Sequence, residues 1–415
     1  MVFFKLFLGI WMLGTACASA TTDNKMTKPT MVIDASSSTT QEPLPGAYDM
    51  KAYLDKLKGK RVGMVVNQTS IIGKTHLVDS LLKLKINITK ILTPEHGFRG
   101  DADAGEKVKS ISDEATGIMM VSIYGDHRKP TADDLKDLDI IIFDVQDIGV
   151  RFYTYIATMT LVMEACAEHH IPLIVLDRPN PNGYYVDGPV MKKEYQSFLG
   201  MHPVPVVYGL SIGEYARMVN GEGWLANKIK CNLTVIPCKK YDHAMTYNLP
   251  IKPSPNIPNL KATLLYPSTC FFEGTMVNEG RGTDLQFQCF GHPLYTNGDY
   301  TYTPVSKVGA KSPKLMGQIC KGYNLSNLSI QEIMSWKKLN FKWMLLMYEN
   351  LKSKENFFPT NPAVYTPFNK LAGNADLMEQ IKSGKTEDQI RSSWQADLKV
   401  YKLMRKKYLL YKDFE

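Results

Sequence analysis

Short apolar runs alternate with segments of helical periodicity over residues 44–250. The run at 138–147 is the clearest, because four consecutive apolar residues are followed by polar ones. Strand-like runs lie at 60–70, 88–97, 119–125, 138–147, 172–181 and 231–238, and helical segments lie at 75–84, 153–169 and 211–222. Continuous β-branched runs between helices are typical of parallel strands buried on both faces. The pattern therefore predicts an α/β fold with a doubly wound, mostly parallel sheet.

The pattern changes after Pro250, where the Pro-rich segment KPSPNIPNL (252–260) is typical of a linker. Beyond this segment, strand-like pieces are mixed with helical segments at 328–337, 374–383 and 386–394. We therefore predict two domains, an α/β domain over 44–250 and a smaller α+β domain over 251–415.

The N-terminus has the features of an export signal. Lys5 precedes an apolar stretch at 6–15 that is too short to span a bilayer, and small residues up to Ala20 offer a cleavage site. Residues 1–20 are therefore predicted to be a signal peptide for periplasmic or secreted protein, with a lipoprotein signal at Cys17 as the alternative. The Thr-, Ser- and Pro-rich residues 21–43 are predicted to be a flexible linker. No other segment is apolar enough to cross a membrane.

Composition excludes several classes of protein. The chain has 415 residues, of which 44% are hydrophobic and 22% are charged, so an ordinary core can form without disulfides. Cysteines are sparse and show no C-x-x-C motif, which argues against zinc. Cys231 and Cys238 are predicted to be independent thiols, with a disulfide across a strand as the alternative. The net charge of +8 mildly favours anionic ligands, but no basic and aromatic stripe suggests nucleic acid.

Polar side chains gather where the predicted strands end. Ligands of open α/β sheets bind outside the carboxyl ends of the strands, so these residues are candidates for one site. They are Asn67 and Gln68; Glu95 and His96; Tyr124; Asp144, Gln146, Asp147, Arg151, Tyr153 and Tyr155; and Asp177, Arg178, Asn180 and Asn182. Each of these residues alone can be explained as a helix cap or a turn residue. They are candidates for a binding site because many polar residues are predicted at the same edge of the sheet.

Glu95, in the loop TPEHGFRG (93–100), is the strongest catalytic candidate. Pro94 favours a fixed turn, and Gly97 allows close approach of a ligand. A carboxyl group held there can protonate a leaving group. The structural alternative is a salt bridge with Arg99, and His96 is either a base or a structural histidine.

A second cluster lies in FFEGTMVNEGRGTD (271–284), where Glu273, Asn278, Glu279 and Arg281 occur among three glycines. This composition suits a loop that closes over a polar ligand, or an ordinary turn with surface charges. DADAGE (101–106) begins like a calcium loop but lacks the remaining ligand positions, so no metal is expected. No G-x-G-x-x-G follows a strand and no G-x-S-x-G occurs, so neither a dinucleotide cofactor nor a serine nucleophile is expected.

The chain resembles the NamZ family of exo-β-N-acetylmuramidases. The matching stretches are GKRVGMVVNQTS, TPEHGFRGDADAGEKV, SIYG, DVQDIGVRFYTYI, LDRPNPNG, SPNIPNL, YPSTCFFEGTMVNEGRGT and FGHP. The resemblance implies a Rossmann-like domain, a smaller C-terminal domain and a cleft between them. It also implies a glycoside hydrolase that releases terminal β-1,4-linked N-acetylmuramic acid from the non-reducing end of peptidoglycan fragments. The expected partner is therefore a small saccharide, such as a disaccharide or muropeptide.

Carried over by motif, Glu95 is the expected catalytic acid, with His96 beside it. Hydrolysis usually needs a second group, for which Glu279, Glu273, Asp144 and the substrate's own acetamido group are alternatives. The expected substrate-binding residues are Asn67, Arg99, Gln146, Arg151, Tyr153, Asp177, Arg178, Asn180, Glu273 and Arg281. Among them Arg281, Arg151 and Arg178 are candidates for binding the lactyl carboxylate. Two alternative functions stay open, a β-N-acetylglucosaminidase and a non-catalytic periplasmic sugar-binding protein.

Overall fold

A computed structural model describes residues 42–98, 111–353, 356–361 and 366–415, and Glu42–Glu415 form one compact unit. Within these ranges the strands are β1 (Val62–Val66), β2 (Ile71–Ile72), β3 (Thr75–His76), β4 (Ile88–Thr93), β5 (Ile111–Ser112), β6 (Met119–Ser122), β7 (Ile140–Asp144), β8 (Leu173–Leu176), β9 (Leu233–Ile236), β10 (Cys289–His292), β11 (Tyr300–Tyr302) and β12 (Cys320–Asn324).

The helices in the same ranges are α1 (Met50–Leu57), α2 (Leu77–Lys83), α3 (Ala132–Leu135), α4 (Tyr155–Glu168), α5 (Ile212–Gly221), α6 (Leu260–Thr269), α7 (Ile330–Ser335), α8 (Lys342–Leu351), α9 (Phe368–Ala372), α10 (Asp376–Lys382), α11 (Glu387–Ser392) and α12 (Gln395–Lys406). Short 3₁₀ helices lie at Gly46–Tyr48, Lys193–Tyr195, Ala226–Lys228 and Cys270–Gly274.

The main sheet has the strand order β5-β6-β4-β1-β7-β8-β9. All neighbours from β6 to β9 are parallel, and only the edge strand β5 is antiparallel. The six parallel strands are the six that the apolar pattern predicts. Their order runs outward in both directions from β1, so the strand order reverses between β1 and β7. This is the doubly wound, Rossmann-like arrangement, and the predicted fold class is confirmed.

Both faces of the sheet are buried because consecutive strand residues point to opposite sides. In β1, Met64 and Val66 belong to one hydrophobic cluster, and Val65 belongs to the other. Helices α1 and α2 cover the first face, and α4 and α5 cover the second. Continuous apolar strands are the consequence of this two-sided cover, as the sequence indicates.

The C-terminal part contains a small antiparallel sheet of order β10-β12-β11, and most of its remaining elements are helices. The predicted helical segments 328–337, 374–383 and 386–394 correspond to α7, α10 and α11. A smaller α+β region is thus confirmed as part of the fold class.

The end of the chain returns to the main sheet. Tyr401 donates a hydrogen bond to the carbonyl oxygen of Tyr208 at 2.7 Å, and the Tyr411 hydroxyl donates to Asp177 at 2.5 Å. Arg405, which is completely buried, binds the carbonyl oxygen of Gly209. These contacts place the last helix and the tail against the parallel sheet rather than with the small one.

All six cysteines in the described residues, Cys166, Cys231, Cys238, Cys270, Cys289 and Cys320, are buried and free. Cys231 and Cys238 are separate thiols, as expected. None of the helices in the described ranges is long and apolar enough to cross a membrane.

Candidate active site

A cavity of about 570 Å³ opens at the carboxyl edge of the parallel sheet. Its first wall comes from the loops after β4, β6 and β7 and from the turn at 197–200. Its second wall comes from the segments 254–287 and 309–314 of the C-terminal part. The ionisable or aromatic residues that line it include Glu95, His96, Tyr124, Arg128, Tyr153, Tyr155, Phe198, Tyr266, Glu273, Glu279, Arg281, Lys311 and Lys314.

Glu95 lies two residues beyond the end of β4, on the first wall. The Tyr124 hydroxyl donates a hydrogen bond to its Oε1 at 2.7 Å, and the Thr154 hydroxyl donates to its Oε2 at 2.9 Å. Thr154 is the N-cap residue of α4, yet its hydroxyl makes no capping hydrogen bond. The carboxylate therefore lies beside the N-terminus of a 14-residue helix.

The backbone after Glu95 turns sharply. His96 and Gly97 both have positive φ values, of 70° and 72°, and the Gly97 amide closes the turn on the Pro94 carbonyl at 3.0 Å. A left-handed conformation is uncommon for a residue other than glycine, so the surrounding structure must hold His96 in place. His96 lines the cavity and is 7% exposed.

Two tyrosines support the same wall. Tyr155 receives a hydrogen bond from Asn67 at 3.0 Å, and its ring meets the Tyr153 ring edge-on at 5.0 Å. Tyr153 donates to the Pro253 carbonyl at 2.9 Å. Burial, together with the nearby Glu95 carboxylate, raises the pKa of Tyr155, so this phenol stays a neutral donor at physiological pH.

The second wall carries a network of charges. The Arg281 Nη2 atom contacts Glu273 Oε1 at 2.5 Å, and its Nε lies 3.5 Å from Glu279 Oε1. Lys314 Nζ lies 2.8 Å from Glu279 Oε2 and also donates to the carbonyl oxygens of Phe272 and Val277. Burial alone would lower the pKa of Arg281, but the carboxylates of Glu273 and Glu279 outweigh it and raise that pKa.

Glycines shape the loop that carries this network. Gly280 and Gly282 flank Arg281, and both have a φ of +83°, which side-chain-bearing residues rarely adopt. A Cβ atom on Gly280 would lie 2.4 Å from the Leu285 carbonyl oxygen. The glycines are thus needed for the turn that brings Glu279 and Arg281 to the same wall.

Asp144 and Arg178 were expected at the site, but the structure places them beneath it. Arg178 Nε donates to Asp144 Oδ1 at 2.7 Å, and Nη2 donates to Oδ2 at 2.8 Å. The two side chains are 0% and 1% exposed and do not line the cavity. Because the pair satisfies its own charges inside the protein, neither residue is positioned to meet a ligand there.

Arg151 was expected to contact substrate, and the structure shows it holding backbone instead. Its guanidinium donates to four carbonyl oxygens, those of Pro189, Val204, Leu371 and Ala372. The side chain is 1% exposed and lies outside the cavity lining. Arg151 therefore ties the sheet edge to the C-terminal part rather than binding a ligand.

The other predicted binding residues after the strands also serve the fold. Asp177 accepts hydrogen bonds from Ser211, Gly213 and Tyr411, and burial raises its pKa to about 6. Asn180 donates to the Leu210 carbonyl, and Gln146 donates to the carbonyl oxygens of Asp147 and Pro179. None of these three residues lines the cavity, and Asn67 reaches it only through Tyr155.

The structure thus brings Glu95, His96, Tyr153, Glu273, Glu279 and Arg281 to one cavity. Arg99 and the loop 101–106 lie outside the described residues. Sequence reasoning missed Thr154, Arg128, Phe198 and Lys314 as lining residues. Thr154 carried a signal, because it lies between two tyrosines just before a helix, whereas the other three have no pattern that marks them. In the described ranges no cluster of three His, Cys, Asp or Glu side chains is arranged to hold a metal ion.

Comparison with known proteins identifies the family. The model of the N-terminal part of exo-β-N-acetylmuramidase NamZ matches residues 62–261, and the model of its C-terminal part matches residues 264–411. The chain belongs to the exo-β-N-acetylmuramidase NamZ family. Membership of the NamZ family makes it a glycoside hydrolase, which decides against the non-catalytic binding protein.

Comparison with individual proteins supports the same assignment. The chain is 36% identical to the peptidoglycan β-N-acetylmuramidase NamZ of Bacillus subtilis, over 98% of this chain and 99% of that one. It also resembles two crystal structures of DUF1343 family proteins from Bacteroides fragilis. The first has 44% identity and a TM-score of 0.82, covering 90% of this chain and 99% of the other. The second has 28% identity and a TM-score of 0.73, covering 89% and 99%.

Proposed function

We propose that this chain releases terminal β-1,4-linked N-acetylmuramic acid from the non-reducing end of peptidoglycan fragments, with Glu95 as the general acid. The observation that carries the proposal is the position of Glu95 on the cavity wall, oriented by hydroxyl groups at both of its carboxyl oxygens. When the carboxyl group is protonated, it donates its proton to the glycosidic oxygen as the bond from that oxygen to the sugar breaks.

The charge balance of the cavity suits an anionic sugar. Among the described residues, four cations line it, Arg128, Arg281, Lys311 and Lys314, against the three carboxylates Glu95, Glu273 and Glu279. When Glu95 is protonated for its role as an acid, four positive charges face two negative ones, an excess of two. N-acetylmuramic acid carries a lactyl carboxylate that N-acetylglucosamine lacks, and the excess favours the former.

Arg281 is the proposed partner of the lactyl carboxylate. Its side chain is 22% exposed and lines the cavity, and within the described residues only its Nη2 atom donates a hydrogen bond, to Glu273. Glu273 and Glu279 hold the guanidinium plane in place. The remaining donor edge is thereby presented to a carboxylate, the group that a guanidinium recognises best.

Paired substrates test this function. The wild-type enzyme is expected to hydrolyse an aryl β-N-acetylmuramide at least about 10-fold faster, by kcat/KM, than the matching aryl β-N-acetylglucosaminide, since a charged hydrogen bond contributes about 1.5–3 kcal/mol. Arg281→Met is expected to remove most of that preference. Equal rates on both substrates with the wild-type enzyme would instead support a β-N-acetylglucosaminidase.

Export of the chain is part of the proposal. The apolar N-terminal stretch and the small residues up to Ala20 support a signal peptide, and peptidoglycan fragments occur outside the cytoplasm. We place the enzyme in the periplasm or the secreted fraction, with a role in cell-wall recycling. Mass spectrometry of the exported protein is expected to give a mature chain that begins at Thr21. A chain that begins with a lipid-modified Cys17 would identify a lipoprotein.

A further inference from the structure

A tight turn beside Glu95 presents apolar side chains to the cavity. The backbone groups of Ser197 and Gly200 exchange two hydrogen bonds, of 2.9 and 3.0 Å, so Phe198 and Leu199 form the tip of the turn. Both side chains are half-buried and line the cavity. The base of the turn packs tightly, because a Cβ atom on Gly200 would lie 3.2 Å from the Arg151 side chain.

Arg128 lies over the same turn. Its guanidinium carbon is 4.4 Å from the centre of the Phe198 ring, and its side chain lines the cavity. The neighbouring basic residues are both paired, His127 with Asp134 at 2.8 Å, and Lys129 with Glu164 at 2.6 Å. Arg128, in contrast, pairs with no carboxylate among the described residues. Its donors are oriented by the ring and are available to a ligand.

The position of this wall relative to Glu95 assigns its role. The Tyr124 hydroxyl binds Glu95, and the Tyr124 ring lies 6.2 Å from the Phe198 ring. An acid that protonates a glycosidic oxygen lies between the two sugars that the oxygen joins. Arg281, the proposed partner of the departing muramic acid, is carried by the C-terminal part, whereas Tyr124, Arg128 and Phe198 belong to the α/β part. The Phe198 side therefore faces the sugar that is left behind as the leaving group.

We infer that Phe198, Leu199 and Arg128 form the subsite for the leaving sugar and recognise its 2-acetamido group. This inference rests on the function proposed above. The acetamido methyl group packs on the apolar tip of the turn, and the acetamido carbonyl oxygen accepts a hydrogen bond from the guanidinium. An acetamido group offers both a small apolar methyl group and a strong neutral hydrogen-bond acceptor. The Phe198 ring can contact the first while the Arg128 guanidinium binds the second.

Two disaccharides test the subsite. Both carry N-acetylmuramic acid in β-1,4 linkage, one to N-acetylglucosamine and the other to glucose, so only the acetamido group differs and no charge changes. The wild-type enzyme is expected to prefer the acetylated leaving sugar by about 10-fold in kcat/KM, the range of one hydrogen bond to a charged group. Arg128→Ala and Phe198→Ala are both expected to reduce this ratio to about 2 or below.

The control is Arg61→Ala, which removes an exposed arginine just before β1, at the opposite edge of the sheet, and is expected to leave the ratio unchanged. An unchanged ratio in Arg128→Ala and Phe198→Ala would overturn the subsite. So would a loss confined to substrates that carry stem peptides, which would assign Arg128 to a peptide carboxylate. If the wild-type enzyme cleaves an aryl muramide but shows no preference between the disaccharides, only the subsite fails. If it cleaves none of these substrates, the proposed function fails.

Discussion

Glu95→Gln is expected to lower kcat by about 10²–10⁴-fold on a disaccharide substrate, because the amide cannot protonate the leaving oxygen. The replacement preserves size; its amide oxygen accepts from one of the Tyr124 and Thr154 hydroxyls and its NH2 group donates to the other, so the fold is expected to be retained. The loss is expected to be smaller on an aryl muramide whose phenolate is a weak base, because such a leaving group departs without full protonation. Comparing kcat on the two substrates therefore distinguishes an acid from a nucleophile.

Two further variants serve as comparisons for Glu95→Gln. Tyr124→Phe removes one hydrogen bond to Glu95 and is expected to lower kcat by about 10-fold or less while KM changes little, because the carboxyl group remains. Glu349→Gln, at an exposed position of α8, makes the same chemical change away from the cavity and is expected to have no effect. An equal loss on both leaving groups would contradict the acid role of Glu95, and an unchanged rate would remove Glu95 from the mechanism.

Asp144→Ala is expected to lower the free energy of unfolding by about 3–5 kcal/mol, the usual cost of leaving a buried charge without its partner. Both oxygens of Asp144 bind Arg178, and neither side chain is more than 1% exposed. The replacement leaves the guanidinium of Arg178 inside the protein with no carboxylate. The midpoint of urea unfolding, followed by tryptophan fluorescence, measures the effect.

The specific activity of the same variant tests whether Asp144 takes part in catalysis. Because Asp144 lies outside the cavity, the fraction of Asp144→Ala that stays folded at low temperature is expected to retain its specific activity. The control Asp139→Ala breaks an aspartate–arginine pair at the surface, with Arg61, and is expected to shift the midpoint far less. A folded but inactive Asp144→Ala enzyme would restore Asp144 as a catalytic candidate.

The fold was predictable because burial on both sheet faces imposes continuous apolar runs, which the central strands β1, β7 and β8 carry. The pairing order was not readable from the runs, since apolar content does not distinguish one central strand from another. The same limit applies to the site. Asp144 and Glu95 are both carboxylates that follow an apolar strand, and only their partners differ: Arg178 below the surface for one, and hydroxyl groups on the cavity wall for the other.

Very long-range contacts account for two of the misplaced residues. Arg151 is held by carbonyl oxygens about 220 residues further along the chain, and Asp177 is held by Tyr411, 234 residues away. No local pattern marks such a partner. Motif matches gave Glu95, Glu273, Glu279 and Arg281, whereas Arg128 and Phe198 meet only because two separate loops fold beside each other.

The return of the tail to the sheet sets the order in which this chain can fold. Tyr411 donates a hydrogen bond to Asp177, which directly follows β8. Arg405 donates a hydrogen bond to the carbonyl oxygen of Gly209 and also forms a salt bridge with Asp413, one of the last three residues of the sequence. Until this tail has docked, the buried carboxylate of Asp177 lacks one of its hydrogen-bond donors. Contacts of such sequence separation also form slowly, because a long loop must close before they stabilise anything.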